Sequence, residues 1–265
     1  MSIGRFFSEL HDREPLLSTV GWLHAVIVLG CLISIPFDAR EILGISPWIK
    51  PMKFAASIAL FVWTLGWFLR YLGEPRWLLT LIRAGVSAAM IVEIFCITVQ
   101  AARGAPSHFN TATAFDATVF AIMSLAVVGN TLLVIVVFSL FFWDCQDLPE
   151  AYLWGIRLGL VIFVLANMEG LLMVLHMGHT VGAADGGAGL PFLNWSVEAG
   201  DLRVAHFAGL HGLQAVPLAG YLLSRVTRLR PGRQVALTVA FALLYAAGGF
   251  ALYRQAMSGQ PLFRL

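Results

Sequence analysis

The stretch from 202 to 214, LRVAHFAGLHGLQ, places two histidines and a glutamine inside an otherwise apolar run. Neutral imidazole is the commonest metal ligand in proteins, and it also takes up and releases protons near neutral pH. His206 and His211 are five residues apart, or about 140° around a helix, so the two rings cannot bind one ion together. His211 shares a face with Gln214. We therefore expect His211 to point inward and His206 to face a loop or the lipid headgroups.

Acidic and imidazole groups elsewhere in the chain also fall within or beside apolar runs. Such groups are costly at membrane depth, usually face the interior of a bundle, and mark functional sites. We predict that the catalytic acids and bases are Glu93, Glu169 and Asp116. We predict that the metal ligands are His176 and His211, with His179, His206 and His108 as further candidates.

Each of these residues also has a purely structural interpretation. Histidines can hydrogen-bond across helices, a contact that stabilises a membrane bundle by about 0.6 kcal/mol. Asp116 can interact with the positive end of a helix dipole. The SHFN segment around His108 can cap a helix through Ser107 or Asn110.

Composition identifies the solvent that surrounds these groups. The chain has 265 residues, of which 59% are hydrophobic and 12% are charged, whereas soluble domains carry about 25% charged residues. Backbone groups in lipid must be satisfied within the protein, so the long apolar runs are predicted to be helices. The fold class is an all-α polytopic membrane bundle with seven spans, approximately 16–36, 52–72, 77–101, 113–143, 151–178, 204–224 and 233–255.

The spans are predicted to form a single integral membrane domain over residues 1–265. The one long connection, at 180–203, is rich in glycine but also carries large apolar residues. It is expected either to close over a site as a lid or to serve as a flexible linker.

Arginine and lysine positions predict the orientation. The cluster Arg225, Arg228, Arg230 and Arg233 favours an N-in, C-out arrangement. In that arrangement the candidate residues of four helices all lie in the outer half of the membrane, with the 180–203 loop on the same side. In the cytoplasmic half, His24 and Asn130 are isolated exceptions.

The one-sided cluster favours a membrane-embedded enzyme with a periplasm-facing cavity. Its cofactor is predicted to be a divalent metal ion or haem b, and its substrate lipid-soluble or amphipathic. A proton-coupled transporter or channel is the alternative, and would require polar groups to continue through the cytoplasmic half. A non-catalytic subunit of a membrane complex is the third possibility. The expected location is a bacterial inner membrane.

Several classes are disfavoured by the residues themselves. A formal net charge of +2 gives no basis for nucleic-acid binding. The last apolar run, 233–255, has no lysine for a retinal Schiff base. It also has no histidine, which separates the chain from the seven-helix hydrolases with a three-histidine zinc site.

Overall fold

A computed structural model of the chain describes residues 3–73, 75–143, 145 and 148–264. Long helices dominate the described residues. They are α1 (Ile3–Arg13), α2 (Pro15–Ser34, continued by a 3-10 turn at Ile35–Phe37), α3 (Ile49–Leu69), α4 (Arg76–Arg103), α5 (Ala114–Trp143), α6 (Glu150–His176), α7 (Leu202–Ser224) and α8 (Pro231–Met257). Two short strands, β1 (Thr180–Val181) and β2 (Gly200–Asp201), lie between α6 and α7.

Each of the seven predicted apolar runs forms a helix. Among the described residues, six helices are long and apolar enough to cross a membrane: α2 with its 3-10 turn, α3, α4, α5, α6 and α8. Of the seven helices that the apolar runs form, α7 is outside this group, because His206, His211 and Gln214 lower its hydropathy. The all-α membrane bundle is thus confirmed at the level of six helices, and a seventh crossing depends on α7.

Large apolar side chains point outward along these helices. Leu125, Leu175 and Leu244 are each at least 70% exposed. In water such surfaces would be unfavourable, whereas in a bilayer they meet lipid tails. The outer surface therefore fits an integral membrane protein.

The chain divides into two compact units, residues 1–133 and 134–265. In the first unit α2 packs against α3 and α4, and α3 also packs against α4. The helix α1, which the apolar runs did not predict, packs on α2 and α3. Its Phe6 stacks on Trp67, and its Phe7 contacts Trp63 and Trp22.

In the second unit α6, α7 and α8 pack against one another. Glycines allow close approach, since a side chain at Gly155 or Gly159 of α6 would meet Pro217 of α7 at about 3 Å. The predicted 180–203 loop is a braced hairpin. Its strands β1 and β2 are antiparallel, and a further bridge joins Gly189 to Ser196.

Candidate functional site

Glu93 and His108 form an acid–imidazole pair in the first unit. Glu93 lies on α4, and its side chain is 4% exposed. The imidazole Nε2 of His108 is 3.6 Å from Glu93 Oε1, while Glu93 Oε2 is enclosed and has no hydrogen-bonding partner. An enclosed oxygen without a partner costs about 1–3 kcal/mol or more, and a bound water, a ligand or a proton donor would satisfy it.

Aromatic rings surround the imidazole of His108. Phe54 of α3 lies 5.3 Å from it between ring centroids, Phe109 at 6.0 Å and Phe120 of α5 at 6.4 Å. The ammonium of Lys50 lies 5.9 Å from the Phe54 ring centre and close enough to Glu93 to interact electrostatically. Aromatic rings therefore surround the Glu93–His108 pair, and the Lys50 ammonium lies near it.

A tight loop between α4 and α5 positions His108. Gly104 caps the C-terminal end of α4 with a left-handed φ of 71°, and Phe109 also has a positive φ, of 56°. Positive φ in a non-glycine residue is strained and persists where surrounding contacts enforce it. Ser107 Oγ lies 3.0 Å from His108 Nδ1 and orients the ring. Asn110 braces the loop by donating to the Pro106 carbonyl.

Asp116, predicted as a catalytic residue, is fully engaged at the start of α5. It accepts hydrogen bonds from Gln100, Arg103 and Thr113, at 2.8, 2.6 and 2.7 Å. The Thr113 hydroxyl also accepts from the Asp116 amide. These bonds connect α4 to α5, and the catalytic role of Asp116 stays a prediction.

Buried polar groups also lie along the N-terminal half of α4, where the sequence led us to expect only isolated ones. Arg83 donates two 2.6 Å hydrogen bonds to the buried carboxylate of Glu14. Ser18 and Ser87 are buried, and neither hydroxyl has a partner. His24 is fully buried, with its ring nitrogens 2.7 Å from the Val20 carbonyl and 3.4 Å from the Met90 carbonyl.

In the second unit His206 contacts α6, so the expectation that it faces a loop or the headgroups is wrong. Its Nδ1 lies 2.8 Å from the carbonyl oxygen of Ala166. Its Cε1 would be 2.9 Å from a side chain at Gly170, so glycine makes room for the ring. Glu169 lies beside this contact on α6, and its Oε1 is enclosed without a partner.

His179 and its neighbours fasten the loop that joins α6 to α7. His179 Nδ1 lies 3.2 Å from Asp185 and 3.8 Å from Asp201. Burial raises the pKa of Asp201, but the hydrogen bonds and charge of Arg203, the Ser196 amide and the charge of His179 outweigh burial and hold that pKa below its usual value. These are contacts that hold the loop in one conformation.

The remaining predicted metal ligands are His211 and His176, of which the first packs against its own helix and the second is exposed. His211 Nδ1 is 3.3 Å from Gln214 Oε1, which confirms that they share a face, and its ring packs on Phe207. His176 is exposed at the last residue of α6. Across the residues that the structure describes, no three His, Cys, Asp or Glu side chains cluster closely enough to hold a metal ion. The metal prediction therefore gains no support from the described residues.

The predicted residues divide between the two units. Glu93, His108 and Asp116 belong to the first unit, and Glu169, His176, His179, His206 and His211 belong to the second. Convergence of the whole set into one pocket stays a prediction. Sequence reasoning missed Glu14 and Ser18, which fall at the start of the first span where charged and hydroxyl residues are common.

The sequence and the structure were compared with known proteins, and neither comparison found a match. No known protein family matches the chain, and neither a curated protein nor a solved structure is significantly similar to it.

Proposed function

We propose that this protein is a membrane-embedded enzyme that uses Glu93 and His108 as a general acid–base pair on a lipid-soluble or amphipathic substrate. The observation that carries the proposal is the enclosed Glu93 carboxyl group, with one oxygen 3.6 Å from His108 and the other without a partner. A substrate hydroxyl or amine would supply the missing hydrogen bond to the second oxygen.

The chemistry follows from these positions. When the free carboxyl oxygen of Glu93 takes a proton from the substrate, the other oxygen gives one to His108. In the reverse step His108 protonates Glu93 as Glu93 protonates the substrate. The Ser107 hydroxyl fixes the imidazole in place. The rings of Phe54, Phe109 and Phe120 provide an apolar wall that suits a substrate entering from the bilayer. We further propose an N-in, C-out orientation in a bacterial inner membrane.

The test is substrate consumption by the purified protein. Wild-type protein in detergent is incubated with a bacterial membrane lipid extract, and untargeted mass spectrometry detects species that are consumed or formed. Removing one acid–base partner slows such reactions by about 10²–10⁴-fold, so Glu93→Gln and His108→Gln should abolish detectable turnover. His11→Gln is the matched control, because His11 is exposed on α1.

Two results would overturn the proposal. One is that wild-type protein changes no species beyond a heat-inactivated sample. The other is that Glu93→Gln turns over substrate at the wild-type rate.

A further inference from the structure

We propose that the segment 225–233, which joins α7 to α8, is a binding site for the phosphate groups of anionic phospholipids. This basic segment carries four arginines within nine residues, namely Arg225, Arg228, Arg230 and Arg233. It belongs to the second unit, and it is independent of the acid–base chemistry proposed for the first.

The positive charge of the basic segment is exposed and uncompensated. All four arginines are exposed, and within the described part of the chain none of their guanidinium groups has a hydrogen bond or an ion pair. In contrast, Arg157 and Arg203 of the same unit each donate to an oxygen of the protein. No aspartate or glutamate follows Asp201 in the sequence. A phosphate offers the oxygens that guanidinium groups bind in a bidentate manner, so it supplies the missing acceptor.

Hydrogen bonds hold the basic segment in one compact conformation. The side-chain amide of Gln234 donates to the carbonyl oxygens of Val226 and Leu229, at 3.1 and 3.4 Å. The Leu229 amide donates to the Val226 carbonyl at 3.0 Å, and the Arg233 amide to the Arg230 carbonyl at 2.9 Å. Since Gln234 lies in the first turn of α8 and Val226 follows the end of α7, these bonds bring the two sides of the segment together. Arginines from both sides can therefore contact one lipid headgroup.

An apolar stripe on α7 leads directly to the basic segment. Leu218, Tyr221 and Leu222 are 56%, 44% and 56% exposed. They are spaced three and four residues apart, and Arg225 continues the same spacing, so all four side chains lie on one face of the helix. An acyl chain that lies along this stripe places its phosphate at Arg225. The ligand is therefore a lipid and not a free phosphate ion.

The surplus of positive charge selects lipids by the charge of their headgroup. Phosphatidylcholine and phosphatidylglycerol both carry a phosphate, but the choline ammonium is repelled by the arginines that do not bind the phosphate. The glycerol headgroup has hydroxyl groups in its place and leaves the lipid with a net negative charge. Clusters of basic residues next to a membrane helix attract anionic lipids for this reason.

The experiment measures which lipid the protein retains. Purified full-length protein in a neutral detergent is mixed with equal amounts of phosphatidylglycerol and phosphatidylcholine, and native mass spectrometry counts the lipid adducts. Wild-type protein should retain phosphatidylglycerol about tenfold more than phosphatidylcholine. The double variant Arg225→Gln with Arg228→Gln should lower this preference at least about threefold.

A matched control separates the basic segment from net charge. Arg70→Gln with Arg254→Gln also removes two positive charges from exposed positions, and it should keep the wild-type preference. Arg225→Lys with Arg228→Lys should keep most of the preference, because an ammonium still attracts phosphate. Soluble glycerol phosphate in large excess should not displace the lipid, because it has no acyl chain to lie along α7.

Four results would overturn the proposal. Equal retention of both lipids by the wild-type protein would exclude a lipid site and leave the arginines to an acidic soluble partner. An equal loss of preference in the two glutamine variants would show an effect of net charge alone. A lysine variant as weak as the glutamine variant would contradict recognition by charge. Displacement by glycerol phosphate would show a site for phosphate ions.

Discussion

The Asp201 carboxylate joins the hairpin of the second unit to the start of α7. It accepts hydrogen bonds from the Ser196 amide at 2.8 Å, from the Arg203 amide at 3.0 Å and from the Arg203 guanidinium at 2.6 Å. Asp201→Ala removes a helix cap and a charged acceptor together, so we expect the free energy of unfolding to fall by about 2–3 kcal/mol. Thermal unfolding in detergent measures the change.

The control for this substitution is Glu198→Ala, because the Glu198 side chain is exposed. Its unfolding free energy should stay within about 0.5 kcal/mol of wild type. Equal effects of the two substitutions would show that the Asp201 contacts do not hold the loop.

The same carboxylate predicts a dependence of stability on pH. The pKa of Asp201 is lower in the folded chain than its usual value, so its stabilising contribution is present above the unfolded pKa of about 3.9 and is lost as pH falls through the folded pKa. The difference in Tm between wild type and Asp201→Asn should be present at pH 5 and should shrink as the pH falls below about 4. A difference that grows below pH 4 would contradict the assignment.

At the scale of helices, the Glu14–Arg83 ion pair joins the start of α2 to α4. Glu14 is 2% exposed, and the pair is bidentate with both distances at 2.6 Å. Removing one partner leaves the other charge buried, so Glu14→Gln or Arg83→Gln should each lower the free energy of unfolding by about 3 kcal/mol. The double variant should lose less than the sum, with a coupling of about 1–3 kcal/mol. Simple additivity in unfolding experiments would disprove the pairing.

Close packing of the second unit depends on glycines of α6 and α7. A Cβ at Gly220 would lie 2.4 Å from the Ala151 carbonyl oxygen and 3.2 Å from Thr238. Gly220→Ala should therefore destabilise the protein by about 1–3 kcal/mol through overpacking. Gly248→Ala on α8 meets nothing within 4 Å, and should be neutral or stabilising by up to about 1 kcal/mol because alanine favours helix. Parallel thermal unfolding of the two variants measures the contrast.

Helices were predictable because their signal is local. The run 113–143 was predicted from unbroken apolar sequence and forms α5 over Ala114–Trp143. The helix α1 was missed, because it is short and amphipathic and its two phenylalanines find their tryptophan partners only in the folded unit.

The candidate site was only partly predictable for the same physical reason. Glu93 stood out from sequence because a carboxyl group deep in an apolar run is costly. Its pairing with His108 depends on the loop geometry around Gly104 and Phe109, which no periodicity records. His24 looked isolated because its contact Met90 comes from another helix, more than 60 residues away.

At the scale of the whole molecule, α7 decides the topology. It has 23 residues and is about 35 Å long, enough to cross the hydrocarbon core. It is nevertheless not among the six described helices that are apolar enough to count as candidate spans. If α7 crosses, the hairpin around residue 190 and the arginine-rich turn at 225–230 lie on opposite sides of the membrane. Alkaline phosphatase inserted at 190 should then be active in the periplasm, and at 228 it should be inactive.

A phosphatase fused to the C-terminus provides a third reporter position. With seven crossings and the N-terminus in the cytoplasm, a C-terminal phosphatase fusion is periplasmic and active, because α8 returns the chain to the outer side. The positive charges of Arg225, Arg228 and Arg230 disfavour translocation of the turn before α8. Equal activity at 190 and 228 would show that α7 does not cross, in which case its polar face would lie against the surface of the bilayer or within the protein.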